Sequence, residues 1–312
     1  MKDQYNRNIN YMRISLTDRC NYTCFYCRKD YNEHFKHEDI LSYEEILNIC
    51  KCAIQLGITN FKITGGEPCI RKGYIDFISQ LKQLPVTSVT LTTNGSLLNH
   101  FDLDRLKEIG IDGINFSIDT LNEIEYEQIC GQNKLALVLD NLYYASKIGI
   151  PCKVNCVVDE KFNEDKFKMM LSLIKEENIH LRFIEMMPMK YADANKKMEL
   201  CYELLRKYEA EQVDIHLGNG PAHYYKIKGY QGYIGIIEAI HGKFCCSCNR
   251  VRLTSLGFLK LCLFHRDGLD LKPYLKDEKT LLEKMSEIIY LKPQAHNFEN
   301  EHSTTIMNEV GG

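Results

Sequence analysis

Apolar and polar positions alternate in short runs, and between those runs the period lengthens to that of a helix. Arg13, Ile14, Ser15 and Leu16 alternate one by one, the pattern of a strand with one covered face. Further on, Ile46, Leu47, Ile49, Cys50, Ala53, Ile54 and Leu56 fall on one side of a helix that stops at Gly57. Ser42 and Glu45 stand three apart at its start, as in a capping box. The exchange of periods then repeats. It predicts strands over 61–64, 88–93, 113–119, 153–158 and 181–185, and helices over 74–84, 102–109, through 123–148 and over 164–177.

Six strands separated by helices imply parallel βα units with right-handed crossovers. The α/β fold expected is a partial six-stranded barrel rather than an open doubly wound sheet, with its chemistry at the carboxyl ends of the strands. Past Met187-Pro188 the pattern changes. Residues 189–218 read as charged and helical, short strands follow near 222–228 and 233–240, and a helical tail lies near 277–290. The expected division is a barrel over 1–188 and a C-terminal α+β extension over 189–312. No repeat beyond the βα unit and no low-complexity tract interrupts it.

Bulk composition narrows the setting. A chain of 312 residues with 45% hydrophobic and 26% charged residues has the make-up of a globular protein with a large core. Its net charge of −3 offers no global field for nucleic acid or an anionic membrane, so neither partner is expected. Residues 1–10 are polar and no apolar run reaches about 18 residues, which argues against a signal peptide and a membrane span. Fourteen cysteines without a secretory signal fit a reducing compartment, the cytoplasm.

The cysteines carry the chemistry. Cys20, Cys24 and Cys27 follow the first strand, with three residues and then two between them. Three thiolates on one loop can hold three irons of a cubane and leave the fourth open, whereas an electron carrier normally uses four cysteines per cluster. Zinc is the alternative, although zinc loops usually space their cysteines by two or four. A second set, Cys245, Cys248 and Cys262, again has three ligands; a zinc ribbon completed by Cys246 or His265 is its alternative. Arg250 and Arg252 alternate beside it, so both forks can point one way and grip a di- or triphosphate; two solvated arginines are the plainer reading.

The spacing of Cys20, Cys24 and Cys27, with Tyr26 before the last, resembles that of the radical S-adenosylmethionine (SAM) enzymes. Further motifs make the whole chain similar to the GTP 3′,8-cyclases of molybdenum cofactor biosynthesis. They are Thr17-Asp18-Arg19-Cys20-Asn21, Gly65-Gly66-Glu67-Pro68, Thr92-Thr93-Asn94-Gly95, Asn115-Phe116-Ser117-Ile118-Asp119 and Arg182-Phe183-Ile184-Glu185-Met186-Met187-Pro188. The second cysteine set with its Arg-x-Arg, Asp270-Leu271-Lys272-Pro273 and the final Gly311-Gly312 match as well.

The resemblance implies two [4Fe-4S] clusters, one on Cys20, Cys24 and Cys27 with SAM, the other on Cys245, Cys248 and Cys262 with substrate. It implies SAM contacts at Tyr26, Gly66, Ser117 and Met187, and GTP contacts at Arg13, Lys62, Thr92, Lys153, Arg250 and Arg252. Catalytic roles are implied for Arg250, Arg252, Lys153, Gly311 and Gly312. A 5′-deoxyadenosyl radical would take hydrogen from C3′ of GTP, the C3′ radical would attack C8, and one electron and one proton would complete 3′,8-cyclo-7,8-dihydro-GTP. Implied partners are an electron donor such as flavodoxin or ferredoxin, a downstream cyclic pyranopterin monophosphate synthase, and a second copy in a homodimer. This chain departs from the family pattern at Arg28-Lys29, Lys62, Cys69 and Cys246. Rival readings are a radical SAM enzyme acting on a peptide, which the paired arginines oppose, and a non-catalytic iron–sulfur or zinc protein, which leaves the glycine-rich strand ends unexplained.

Overall fold

The computed structural model describes residues 1–27 and 35–311; Arg28, Lys29 and Gly312 lie outside the described residues. The first half alternates as expected. Strands β1 (Tyr11–Ser15), β2 (Asn60–Thr64), β3 (Ser88–Thr93), β4 (Ile114–Ser117), β5 (Cys152–Val158) and β6 (Ile179–Glu185) are neighbours in that order and all parallel. Between them run α1 (Tyr43–Gln55), α2 (Tyr74–Lys82), α3 (His100–Ile109), α4 (Glu123–Cys130), α5 (Leu135–Lys147) and α6 (Glu164–Leu171). Ser42 and Glu45 form the expected reciprocal capping box at α1. The helix expected over 164–177 ends early, at Leu171, and tightens into a 3-10 turn at Ser172–Ile174.

Residues 189–218 are less helical than their charge pattern implies. The α-helix there is α7 (Lys197–Lys207), which Glu209 at a φ of 51° helps to end, and the short strand β7 (Glu211–Val213) follows. Then come β8 (His223–Lys226), β9 (Ile234–Ile237), β10 (Arg250–Leu253), β11 (Phe258–Lys260), β12 (Gly268–Asp270), α8 (Glu278–Tyr290) and α9 (Met307–Val310). These strands extend the barrel sheet at both edges. β9 joins β6 in parallel and β10 joins β1 in parallel, giving the order β12-β11-β10-β1-β2-β3-β4-β5-β6-β9-β8-β7.

Parallel strands covered on both faces usually read as continuous apolar runs. These alternate because their inner face lines a cavity. Met12, Ile14, Phe61, Ile63, Val89, Leu91, Phe116, Val154, Leu181, Phe183 and Val251 point outward into the helix-covered core. The residues between them, Arg13, Lys62, Thr90, Asn115, Lys153, Arg182 and Arg250 among them, line a cavity of about 720 Å³. The period-2 signal in the sequence is therefore core against site rather than core against solvent. Among the described residues no helix is long and apolar enough to cross a membrane.

Candidate active site

The cysteine loop leaves β1 and is clasped by the loop after β2. Gly66 N–H donates to Thr17 O at 2.7 Å, and Glu67 N–H donates to Arg19 O at 2.8 Å. A Cβ on Gly65 would stand 2.7 Å from Thr17 O, and one on Gly66 would overlap the Arg19 carbonyl. The glycine pair thus makes room for the backbone of the cysteine loop itself. Glu67, fully buried, accepts from Thr93 Oγ1 (2.7 Å), Asn94 N–H (2.7 Å) and Cys69 N–H (3.0 Å), which locks the ends of β2 and β3 together. Burial raises its pKa against these three donors. Asn94 Nδ2 donates to Asn21 Oδ1 at 2.9 Å, holding the cysteine loop from a third side.

Tyr26 is fixed from across the barrel. Its hydroxyl donates to Asp119 Oδ2 at 2.7 Å, and Asp119 Oδ1 accepts from Val157 N–H at 2.7 Å. Burial raises the Asp119 pKa, opposed by those two donors. Cys20, Cys24 and Cys27 line the cavity and form no disulfide. Burial raises the Cys24 pKa strongly, and its neighbours Cys27, Asp119 and Cys20 add to the effect. That mutual repulsion is what a bound cationic cluster relieves, so the donor set fits one. Among the described residues no three His, Cys, Asp or Glu side chains converge as they would on a single metal ion. Thiolates that each hold a different iron need not converge so.

Below the cysteines the cavity is cationic. β1, β2, β5, β6 and β10 carry Arg13, Lys62, Lys153, Arg182, Arg250 and Arg252, and register places Arg13 beside both Lys62 and Arg252. Burial, then repulsion from Arg182, Arg13, Lys153 and Arg250, holds Lys62 well below the usual lysine range. Burial and Arg182 bring Lys153 down to about 8. Burial and Arg13 depress Arg250, and burial, Arg13 and Arg250 depress Arg252 further. The carboxylates lining the cavity face other partners: Asp112 pairs with Lys82 at 2.8 Å and Glu185 with His241. The buried Nε atoms of Arg13 and Arg250 have no partner among the described residues. A polyanion between the members of this cluster would relieve their repulsion.

At the second cysteine set, burial raises Cys245, a hydrogen bond with the His296 backbone opposes the rise, and Cys262 and Cys248 add to it. For Cys248 burial acts upward, yet Lys292, Arg250 and Arg7 together lower it. Cys246 is exposed while the other three are half-buried. Their sequence neighbours Phe244 and Leu263 line the cavity. Cys246→Ala is therefore expected to keep full iron content and Cys248→Ala to lose about four irons per chain, one cubane. Iron and sulfide counts on anaerobically reconstituted protein check this, and the reverse pattern would show that the ligand register is wrong.

The C-terminal tail comes back to the barrel. Val310 and Gly311 are buried, and Arg252 Nη1 donates to Val310 O at 3.2 Å and to Gly311 O. Gly311 has a φ of 73°, and a Cβ on it would overlap Thr64 Oγ1.

The structure thus brings the expected SAM residues Tyr26, Gly66, Ser117 and Met187 and the expected GTP residues Arg13, Lys62, Thr92, Lys153, Arg250 and Arg252 to one cavity. Sequence reasoning missed Arg182, which donates through Nε to Asn155 Oδ1 at 2.9 Å and through Nη2 to Asn115 Oδ1 at 2.5 Å. It also missed Asp119, His180 and the segment 216–221, all of which line the cavity. Its signal was the alternation of His180, Arg182 and Ile184 along β6.

Comparison with known proteins agrees with this geometry. The Radical SAM superfamily matches residues 14–174, and Molybdenum Cofactor Synthesis C matches residues 179–298. The GTP 3′,8-cyclase of Clostridium perfringens (strain 13 / Type A) is 37% identical over 328 residues, covering 100% of both chains. The chain belongs to the GTP 3′,8-cyclase family. GTP 3′,8-cyclases of Petrotoga mobilis and Geobacter sulfurreducens are each 36% identical, covering 100% and 99% of both chains. The radical SAM fold is shared with Streptococcus suis SuiB bound to S-adenosylmethionine, at a TM-score of 0.64 and 14% identity. That match covers 86% of this cyclase-family chain and 65% of SuiB.

Proposed function

We propose that this chain converts GTP to 3′,8-cyclo-7,8-dihydro-GTP, the first step of molybdenum cofactor biosynthesis. The supporting observation is one cavity with a cysteine triad at the carboxyl ends of its strands and six cations below it, of which Lys62, Arg182 and Arg252 are buried. When bound, the cluster and SAM would supply one-electron, hydrogen-abstracting chemistry. The chain's own residues do the rest. Cys20, Cys24 and Cys27 hold the first cluster, with Tyr26, Gly66, Ser117 and Met187 around SAM. Arg13, Lys62, Lys153, Arg250 and Arg252 neutralise the triphosphate, with Thr92 beside them, and the enclosed walls exclude water. Cys245, Cys248 and Cys262 would hold the second cluster, and Arg252 seats Gly311.

The division into a barrel over 1–188 and an auxiliary-cluster region over 189–312 accompanies this reading. So do a cytoplasmic setting, an electron donor such as flavodoxin or ferredoxin, a downstream cyclic pyranopterin monophosphate synthase and a homodimer. A peptide substrate finds no support in a cavity so rich in buried cations. Anaerobic incubation with GTP, SAM and dithionite should yield the cyclised nucleotide by mass analysis. Cleavage of SAM with no change in GTP would overturn the reading.

The cations also set a pH dependence. Lys153, lowered to about 8, is charged below that pH and neutral above it. GTP affinity should fall as pH rises through about 8, and Lys153→Met should flatten that limb while weakening binding throughout. Equilibrium binding between pH 7 and 9, a range spanning about one unit either side, checks it.

A further inference from the structure

Residues 1–10 precede β1 and run alongside the second cysteine set. Asn10 N–H donates to Asn249 O at 3.1 Å, and Asn249 Nδ2 donates to Asn10 Oδ1 at 2.9 Å, at the residue after Cys248. Arg7 is the centre of this contact, and Asp3 aims it. Arg7 N–H donates to Asp3 Oδ1 at 2.9 Å, and Arg7 Nε donates to Asp3 Oδ2 at 2.6 Å. The rest of the fork goes to carbonyl oxygens. Nη1 donates to Cys245 O at 2.9 Å and to Gln294 O at 2.8 Å. Nη2 donates to Pro293 O at 2.7 Å and to Lys292 O at 3.3 Å. One buried guanidinium thus ties a cysteine of the second set to the segment that follows α8.

That segment supplies a second cation. Lys292 is buried, and its Nζ donates to Leu261 O, the carbonyl beside Cys262. Arg7 and Lys292 therefore grip the set from two sides, at Cys245 and next to Cys262. They differ in charge balance. Asp3 and Arg7 form a buried ion pair and are neutral together. Lys292 has no carboxylate partner among the described residues. A buried ammonium without a counter-ion is costly, so its anion must come from what the site holds. The thiolates of the set fill that role. Against burial, which pushes the Cys248 thiol up, Lys292 leads Arg250 and Arg7 in pulling it down. Cys245 in turn feels both Cys262 and Cys248, so the three sulfurs stand close enough to share one cluster.

We propose that Arg7 and Lys292 are positioning residues of the second cluster and that they divide the work. The neutral Asp3–Arg7 pair holds the ligand loop in register, and the unpaired charge of Lys292 stabilises the cluster's reduced form. The inference rests on the second cluster of the reading above and adds residues outside its ligands. Three thiolates make a four-iron cubane anionic overall, and one electron from an external reductant makes it more so. Net charge and buried surroundings set the potential of such a centre. A cation fixed nearby in a low dielectric favours the more negative state and raises that potential.

The test is a redox titration of the full chain, anaerobically reconstituted and reduced with dithionite. Electron paramagnetic resonance follows the two clusters separately, iron counts run alongside, and SAM binding reports that each variant is folded. Lys292→Met removes the charge at similar length. It should keep the iron of both clusters, lower the midpoint potential of the second and leave that of the first unchanged. Asp3→Asn leaves the Arg7 charge uncompensated and should move the second cluster the opposite way, to higher potential. Arg7→Met should lose about half the iron, one cubane of two, and still bind SAM. A side chain that merely packs would not move one potential in opposite directions. Loss of the second cluster's iron in Lys292→Met, or an unmoved potential, would overturn the charge assignment. If Lys292→Met fails to bind SAM, Asp3→Asn decides alone, and an absent or downward shift overturns the assignment. Full iron content in Arg7→Met would overturn the clamp. Uptake of only one cluster by the unaltered protein would instead overturn the two-cluster reading itself.

Discussion

Arg250→Ala is expected to weaken GTP binding by roughly 1.5–3 kcal/mol, about ten- to a hundredfold, the range for hydrogen bonds to charged groups. Arg250 opens β10 opposite Tyr11, and its guanidinium carbon lies 5.1 Å from the Phe244 ring centroid and 5.9 Å from that of Tyr11. The aromatic rings hold the fork in a buried position, yet its Nε has no acceptor among the described residues. An arginine kept buried and under-bonded gains most from an anion that accepts from it. The loss should shrink in the unaltered protein as salt rises, because the contact is ionic. SAM cleavage without GTP should persist, since the cysteine triad lies at the other end of the cavity. Unchanged GTP affinity in the variant would remove Arg250 from the site. Arg252→Ala should behave differently, because its Nη1 is already held by the tail carbonyls. It should combine weaker binding with the loss described below for the tail.

Much of this site was legible in the sequence because strand alternation and motif spacing are local. Arg13, Lys62, Lys153 and Arg252 each sit between outward apolar neighbours on their strands, Arg250 precedes the outward Val251, and a period of two suffices to put them on one inner face. Arg182 satisfies the same rule on β6 and went unassigned because its motif was matched as a whole, without asking which face each residue takes. The segment 216–221 was harder to see. Its contacts, Asn219 to Asn60 and Ser88, span 159 and 131 residues in sequence, and no local period encodes them. Charge between 189 and 218 pointed to helix, but Gly218, Gly220 and Pro221 favour a crossing loop once the sheet edge at β9 is in place. The resemblance puts Gly66 among the SAM contacts, and the structure shows the Gly65-Gly66 pair making room for the cysteine loop's own backbone.

Gly311→Ala is expected to cut formation of the cyclised nucleotide by on the order of 10²-fold, the cost of misplacing a positioning element by about 1 Å. A chain end usually frays and tolerates change. This one is buried, bonded to Arg252 through two carbonyls and packed so closely on Thr64 that a methyl group overlaps the hydroxyl. Its φ of 73° adds strain for any residue with a Cβ. The fold and both cysteine sets should survive, because the tail adds little buried area, so SAM cleavage to 5′-deoxyadenosine should continue. Deleting Gly311 and Gly312 together should give the same uncoupling: radical chemistry without cyclised product. The double variant Thr64→Ala with Gly311→Ala removes the overlap while keeping the φ strain, and should recover part of the lost yield. Product quantified against 5′-deoxyadenosine separates these outcomes. A Gly311→Ala enzyme with an unchanged ratio would show that the tail merely rests against Arg252.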